Sequence, residues 1–408
     1  MNLKSLSILC FWLVWAPARA DIVVGGTGAT CAEDPACINR LHPDIPMVAT
    51  AMPGERITLK GRDAYDIHLD PDEFTQGESP PAGDFGDVHP MVGPIHIEGA
   101  RPGDVLAVTI ESIDPGPVGW TNASPFGFAG DAVDVENRFI SWRINKEYAV
   151  SDALPGVRIP NASFPGVIAT MPGPELLADV LEREQELADA GGAVFTPLVD
   201  RAQPSSLCGA EGSQPGECLR TIPPRENGGN MDIRYVKVGA TVFLPCHVEG
   251  CGLAIGDFHY AQGDGEVSGS AIEMDADITV TTRVVEDGPD LRHGPHYEGP
   301  AALLAIPSTR FYATTGYPFK AAGEIPRDIE YLASEKVAGL TNLSKDVNLA
   351  AQNALVAMID YIASEYGYDR TQAYLIASVA VDMRIAQLVD APNVGVTAIL
   401  PLDIFVGR

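Results

Sequence analysis

The chain has 408 residues, with 27 Lys+Arg against 55 Asp+Glu and a formal net charge of −28 at pH 7. That charge argues against nucleic acid and against anionic membrane surfaces as partners, since both require basic patches. Hydrophobic residues make up 46%, which supports a sizeable core and excludes a disordered acidic tail.

Residues 1–20 read as an export signal. Lys4 is the positive start, Leu6–Trp15 is an apolar run too short to span a bilayer, and Ala18-Arg19-Ala20 fits the small-x-small cleavage rule, with Asp21 as the new N-terminus. Losing Lys4 and Arg19 would move the net charge from −28 to −30. A periplasmic or secreted location follows, with no membrane contact after cleavage. Cys10 leaves with the signal, and the other six cysteines fall into three local couples, 31/37, 208/218 and 246/251. In an oxidising compartment three short disulfides are the simplest reading. Free buried thiols and a zinc cluster are the alternatives; without a C-x-x-C, cysteine ligation of a metal ranks last.

With 41 Gly and 33 Pro, short elements joined by turns fit better than a helical bundle. Pro53-Gly54-Glu55 feeds a strand over 56–61, Pro94–Glu98 follows, and Pro102-Gly103-Asp104 feeds another over 105–113. Arg138–Ile144 is a further strand. A helix is predicted over Pro174–Ala190, with Leu177, Val180, Leu181 and Leu187 on one face. Residues 200–230 form an irregular crossing between a β-rich half, 21–225, and a half, 226–408, that carries the chemical motifs. In that second half strands are expected at Ile233–Val236, at 241–245 after Val238-Gly239-Ala240, at Asp277–Val285 and at Gly395–Leu400. A long helix over Asp346–Tyr366 should stop at Gly367, and Asp369 with Gln372 forms a capping box for the next. The fold class is mostly β, with a sandwich- or barrel-like N-terminal part and an α+β C-terminal part.

The chemistry concentrates in residues 225–277. Asp257 and His259 sit at i and i+2, so in extended chain they leave the same face. Gly263-Asp264-Gly265-Glu266 adds two carboxylates on a turn, and Asp232 follows Gly228-Gly229-Asn230-Met231. If the strand after Asp232 pairs with the one carrying Asp257, all these groups converge. Carboxylates with an imidazole suit a divalent cation, zinc above others. The competing reading makes the Asp-Gly pairs ordinary turns and His259 a structural histidine.

This stretch resembles the acetamidase/formamidase family, whose members carry G-G-N-x-D followed by G-D-x-H-x-x-x-G-D-G-E. Here those are Gly228–Asp232 and Gly256–Glu266, with Glu273 beyond. Further matching blocks are His89–Ala100 with Arg101-Pro102-Gly103-Asp104, then Ala380–Ile385 and Leu400–Phe405. The resemblance runs from about residue 42 to the end. It implies hydrolysis of a small amide to carboxylate and ammonia, zinc in some relatives, and a γ-lactam as the substrate of one. Many relatives have His before the Gly-Gly-Asn, where this chain has Asn227.

On that reading Asp232, Asp257 and His259 hold the metal with His89 as a fourth ligand, and Glu266 is the general base. Neighbouring Asp264 would favour a raised Glu266 pKa by like charge, and the metal a lowered one. Asn230 or the N–H groups of Gly263–Gly265 would stabilise the oxyanion. His68, His96 and Asp104 are assigned to turns, and His293 and His296 to a solvated loop. Asp382 and Arg384 are placed in a helical apolar run as an ion pair. The expected partner is a small amide, with the chain acting as a homo-oligomer (dimer). The rivals are a Ser or Cys nucleophile amidase, which needs an activating base or lysine where the 225–277 stretch has only Lys237 and the cysteines are expected to be bridged, and a non-catalytic secreted calcium-binding β protein, which His259 counts against.

Overall fold

Alternation builds the framework: in Arg56–Gly61, Ile57 and Leu59 point inward while Arg56 and Lys60 face solvent. The computed structural model describes residues 21–67, 69, 84–125, 127–389 and 392–407; residues 1–20, expected to be an export signal, and His68 lie outside these. Gly54, Gly103 and Gly239, at the three turns expected to feed strands, all have positive φ, a conformation glycine adopts without steric cost.

Fifteen strands join in one sheet, the largest among the described residues. Its axis is Glu273–Val285, which pairs along its length with Val105–Ala123 and also with Arg56–Gly61. Its first two residues pair with the end of Cys251–His259. That strand is buried at all nine positions, flanked by Met91–Ile97 on one edge and Phe164–Ala169 on the other. The branching wraps the sheet over a shared core containing Ile57, Ile95, Leu106, Ile255 and Ile278. Strands from both sides of position 225 interleave in it.

The C-terminal part is α+β. Helix Val347–Tyr366 begins at Asp346, whose side chain accepts from Leu349 N, and ends at Gly367 in the left-handed conformation. It packs on a three-stranded sheet ordered Phe311–Gly316, Gly395–Pro401, Asp382–Gln387. The Asp369–Gln372 capping box opens helix Arg370–Ala380 as expected. All three local disulfides form: Cys31–Cys37, Cys208–Cys218 and Cys246–Cys251.

Two local expectations are corrected. Ile233–Val236 is a turn, closed by Val236 N donating to Ile233 O. Arg234 reaches Asp382 and the Tyr235 hydroxyl donates to Asp264, so both side chains leave toward neighbouring segments rather than across a ladder. Asp382 and Arg384 lie on a strand; the helix stops at Ala380 because the chain from Asp382 pairs with Gly395–Pro401. Pairing of this kind overrides local helical preference.

Candidate active site

Cross-strand register builds the site. Phe164 faces His259, His259 faces Glu273, and Glu273 faces Trp120. Directly opposed residues share a sheet face, so the imidazole sits in a row with a carboxylate on one side and Phe164 edge-on at 5.0 Å on the other. Asp257, two residues back on the same strand, brings Oδ1 to 3.4 Å from His259 Nε2. Glu273 Oε2 lies 3.1 Å from the same nitrogen.

Asp232 arrives by a different route from the one expected. The strand Gly228–Asn230 pairs with Phe164–Ala169, which in turn pairs with Cys251–His259. Met231 N and Asp232 N both donate to Gly166 O, so Asp232 crosses one intervening strand and ends with Oδ1 4.0 Å from His259 Nδ1. Gly166 is where these groups meet. A Cβ there would stand 2.5 Å from Asp257 Oδ2, 2.7 Å from Asp232 Oδ1 and 2.8 Å from His259 Cε1.

Glu266 lies 4.0 Å from His259 Nε2, and the C-terminal part carries its loop. Gly263 N donates to Ser378 O, Ser268 N to Ser378 Oγ, and the Tyr374 hydroxyl to Val267 O. Helix Arg370–Ala380 thus holds the loop that carries Glu266. Since Gly263 N–H is spent on Ser378, it is not an oxyanion donor. Asp232, Asp257 and Glu266 all have positive φ. Non-glycine residues held there store local strain, which clusters at functional sites.

The electrostatics are those of crowded acids around one base. Burial and the charges of Asp257 and Glu273 push Asp232 up to about 8, with His259 opposing. Burial and Asp232 raise Glu266 well above the carboxylate range; Asp232, rather than the expected Asp264, supplies the like charge. Burial and Asp257 raise Glu273. Burial disfavours ionised Asp257 too, but His89 and His259 outweigh it and hold Asp257 low. The His259 imidazolium pays for its burial, yet Glu273 and Asp257 hold its pKa well above the usual value.

Two triads could hold a metal ion, Asp257/His259/Glu273 and Asp232/His259/Glu266. The fit is visible in orphaned atoms. Asp232 Oδ1, Asp257 Oδ1, His259 Nε2 and Glu273 Oε2 are buried without a directed hydrogen bond, a costly state for buried polar groups that a bound cation would relieve. Metal–ligand bonds of about 2.0–2.2 Å in tetrahedral array separate donor atoms by roughly 3.4 Å. The 3.1 and 3.4 Å spacings around Nε2 match this.

The remaining expected residues divide. His89 is buried, with Nε2 4.0 Å from Asp257 Oδ2 and its ring and backbone N–H on Thr221 Oγ1; it borders the first triad. Asn230 is close in sequence to Asp232, and its Oδ1 is buried and unpartnered. Asp264 turns to Tyr235. Asn227 is structural on its amide side, donating to Thr170 O. Asp104 caps its turn by accepting from Arg101 N, and His96 lies beside Glu98. His293 and His296 are exposed, His296 on a short strand. Asp382 pairs chiefly with Arg234, and Arg384 is 3.8 Å away. Glu273, to which the sequence assigns no role, is brought to the site by the ladder register opposite His259.

Residues 27–406 match the family model described as the Acetamidase/Formamidase family. An acetamidase of Mycolicibacterium smegmatis is 33% identical over 373 residues, 83% of this chain and 84% of that protein. A formamidase of Methylophilus methylotrophus is 30% identical over 397 residues, 90% of this chain and 89% of that one. Among solved structures, a gamma lactamase from Delftia acidovorans superposes with a TM-score of 0.81 at 27% identity, covering 94% of this chain and 93% of that chain. This chain belongs to the acetamidase/formamidase family and is an amidase, a hydrolase of carbon–nitrogen bonds other than peptide bonds.

Proposed function

We propose that the chain is an exported, metal-dependent amidase that hydrolyses a small linear amide of the formamide or acetamide kind to a carboxylate and ammonia. The observation that carries the metal is the convergence of buried Asp257 Oδ1, His259 Nε2 and Glu273 Oε2 at coordination spacing, none of them in a directed hydrogen bond. Those three residues would hold a divalent ion, zinc favoured because imidazole is a donor, with His89 beside Asp257. When bound, the ion supplies a Lewis acid and a more acidic water.

The chain's own groups do the rest. Glu266, one step beyond the three donors, accepts a proton from water and passes it to the leaving nitrogen. Asp232 flanks it, and the two buried carboxylates hold a proton more readily than either would alone. Asn230 supplies the oxyanion contact through its side-chain amide. Export is supported by the signal-like residues 1–20 and by three disulfides, which persist in oxidising compartments.

The test is metal analysis of the purified protein combined with ammonia release on formamide, acetamide and a γ-lactam. Turnover of formamide or acetamide, lost to a chelator and restored by zinc, is the expected result. Turnover that persists after the metal is stripped would overturn it. A cyclic amide is the second reading, favoured by the lactamase whose structure superposes along almost the whole chain; ring opening without ammonia release would select it.

A further inference from the structure

The ring nitrogen that His259 presents to the carboxylates is decided by a residue outside both triads. Gln262 is 1% exposed, and its two amide ends make different contacts. One end lies 2.9 Å from the main-chain oxygen of Asp232, the other 2.8 Å from His259 Nδ1. A main-chain carbonyl can only accept, so the end facing Asp232 must be the NH2 group. The opposite orientation would set two oxygens 2.9 Å apart in a buried site, with no compensating donor. The carbonyl Oε1 therefore faces Nδ1 and can only accept, which requires a proton on Nδ1. Nε2 is then the nitrogen left free to ligate, and it is the one that lies 3.1 Å from Glu273 and 3.4 Å from Asp257.

We propose that Gln262 is the positioning residue of the site, locking His259 as an Nε2 ligand by tying its Nδ1–H to the backbone of Asp232. The chain of bonds has a second consequence. It runs from the strand Cys251–His259 to the segment after Gly228–Asn230, so it couples the placement of the imidazole to that of Asp232, from a different part of the sheet. Without it, a neutral His259 could place its N–H among Asp257 and Glu273 and turn its lone pair away from them. Partners of this kind fix the tautomer and ring plane of ligating histidines, and their loss typically weakens metal binding by about 10–100-fold. The inference rests on the metal reading above.

The experiment measures Zn²⁺ affinity of the full chain by chelator competition, with 1H–15N spectra of the zinc-loaded protein. Wild type should bind zinc and show a slowly exchanging Nδ1 proton on His259. Gln262→Met should weaken zinc by about 10–100-fold and lose that signal. Gln262→Glu keeps an acceptor for Nδ1–H but loses the donor to Asp232 O, so it should keep the Nδ1 signal and recover part of the affinity; if the Met variant does not fold, a zinc-loaded Glu variant without that signal overturns the inference. Asp232→Asn leaves the main-chain carbonyl in place and should keep the Nδ1 signal. A Gln262→Met protein binding zinc within twofold of wild type overturns the inference while the metal reading stands, as does a spectrum showing ligation through Nδ1. Failure of wild type itself to bind zinc overturns both.

Discussion

Gly166→Ala tests the geometry of the site without removing any of its chemistry. Gly166 has an ordinary φ, so alanine adds no backbone strain there, and the whole effect is steric. Its Cβ would lie 2.5 Å from Asp257 Oδ2, 2.7 Å from Asp232 Oδ1 and 2.8 Å from His259 Cε1, against the roughly 3.5 Å at which non-bonded heavy atoms rest. Relief demands that buried groups retreat by roughly 0.7–1 Å, or that two strands part by a similar amount. Overpacking of this size costs about 1–3 kcal/mol, which the fold should survive. Metal sites tolerate displacements of only about 0.2 Å, and a 1 Å misplacement can cost about 100-fold in rate. The expected protein is therefore folded, melts somewhat lower, holds little metal and releases ammonia at least about 100-fold more slowly. Gly339→Ala, where a Cβ meets open space, is the control for generic glycine replacement. Circular dichroism, metal content and ammonia release read the three quantities. If Gly166→Ala kept its metal and its turnover, the placement of Asp232, Asp257 and His259 around this position would be wrong.

Three further outcomes follow from the same site. Glu266→Gln should lower ammonia release by about 10²–10⁴-fold with metal content unchanged; full turnover would remove Glu266 from the role of base. In the metal-free protein Asp232 is raised to about 8 when folded against 3.8. The folded chain then keeps a proton that the unfolded chain releases, so stability of the metal-free protein should fall as pH rises from about 4 to 8, by several kcal/mol. His259, also raised, acts in the same direction above its unfolded pKa, and Asp257, held low, contributes a constant amount in that window. Urea midpoints across this range that stay flat or rise with pH would contradict the assignment. Arg234→Met leaves Asp382 buried without its main partner and should cost about 3–5 kcal/mol, while Arg234→Met with Asp382→Leu should be far milder. Thermal melts showing equal losses for the single and double variants would argue against the pair.

Much of the molecule was legible locally because local physics decides it. The strands Arg56–Gly61 and Arg138–Ile144 follow from alternation and turn glycines, the helix starts at Asp346 and Asp369 from capping side chains, and the cysteine couples from short spacing. The triplet Asp257-Phe258-His259 announced its own shared face, because side chains alternate along a strand whatever the strand pairs with. Ladder register was beyond that reach. Only pairing sets Glu273 opposite His259, and only an intervening strand with glycine at 166 lets Asp232 cross to the same point. The turn at Ile233–Val236 and the strand bearing Asp382 and Arg384 depart from the sequence expectation for a related reason: Arg234 meets Asp382 across 148 positions. Spacing along a chain determines which face a side chain leaves from. Which other side chains it then meets is set by contacts between segments far apart in sequence, and those exist only once the sheet has closed.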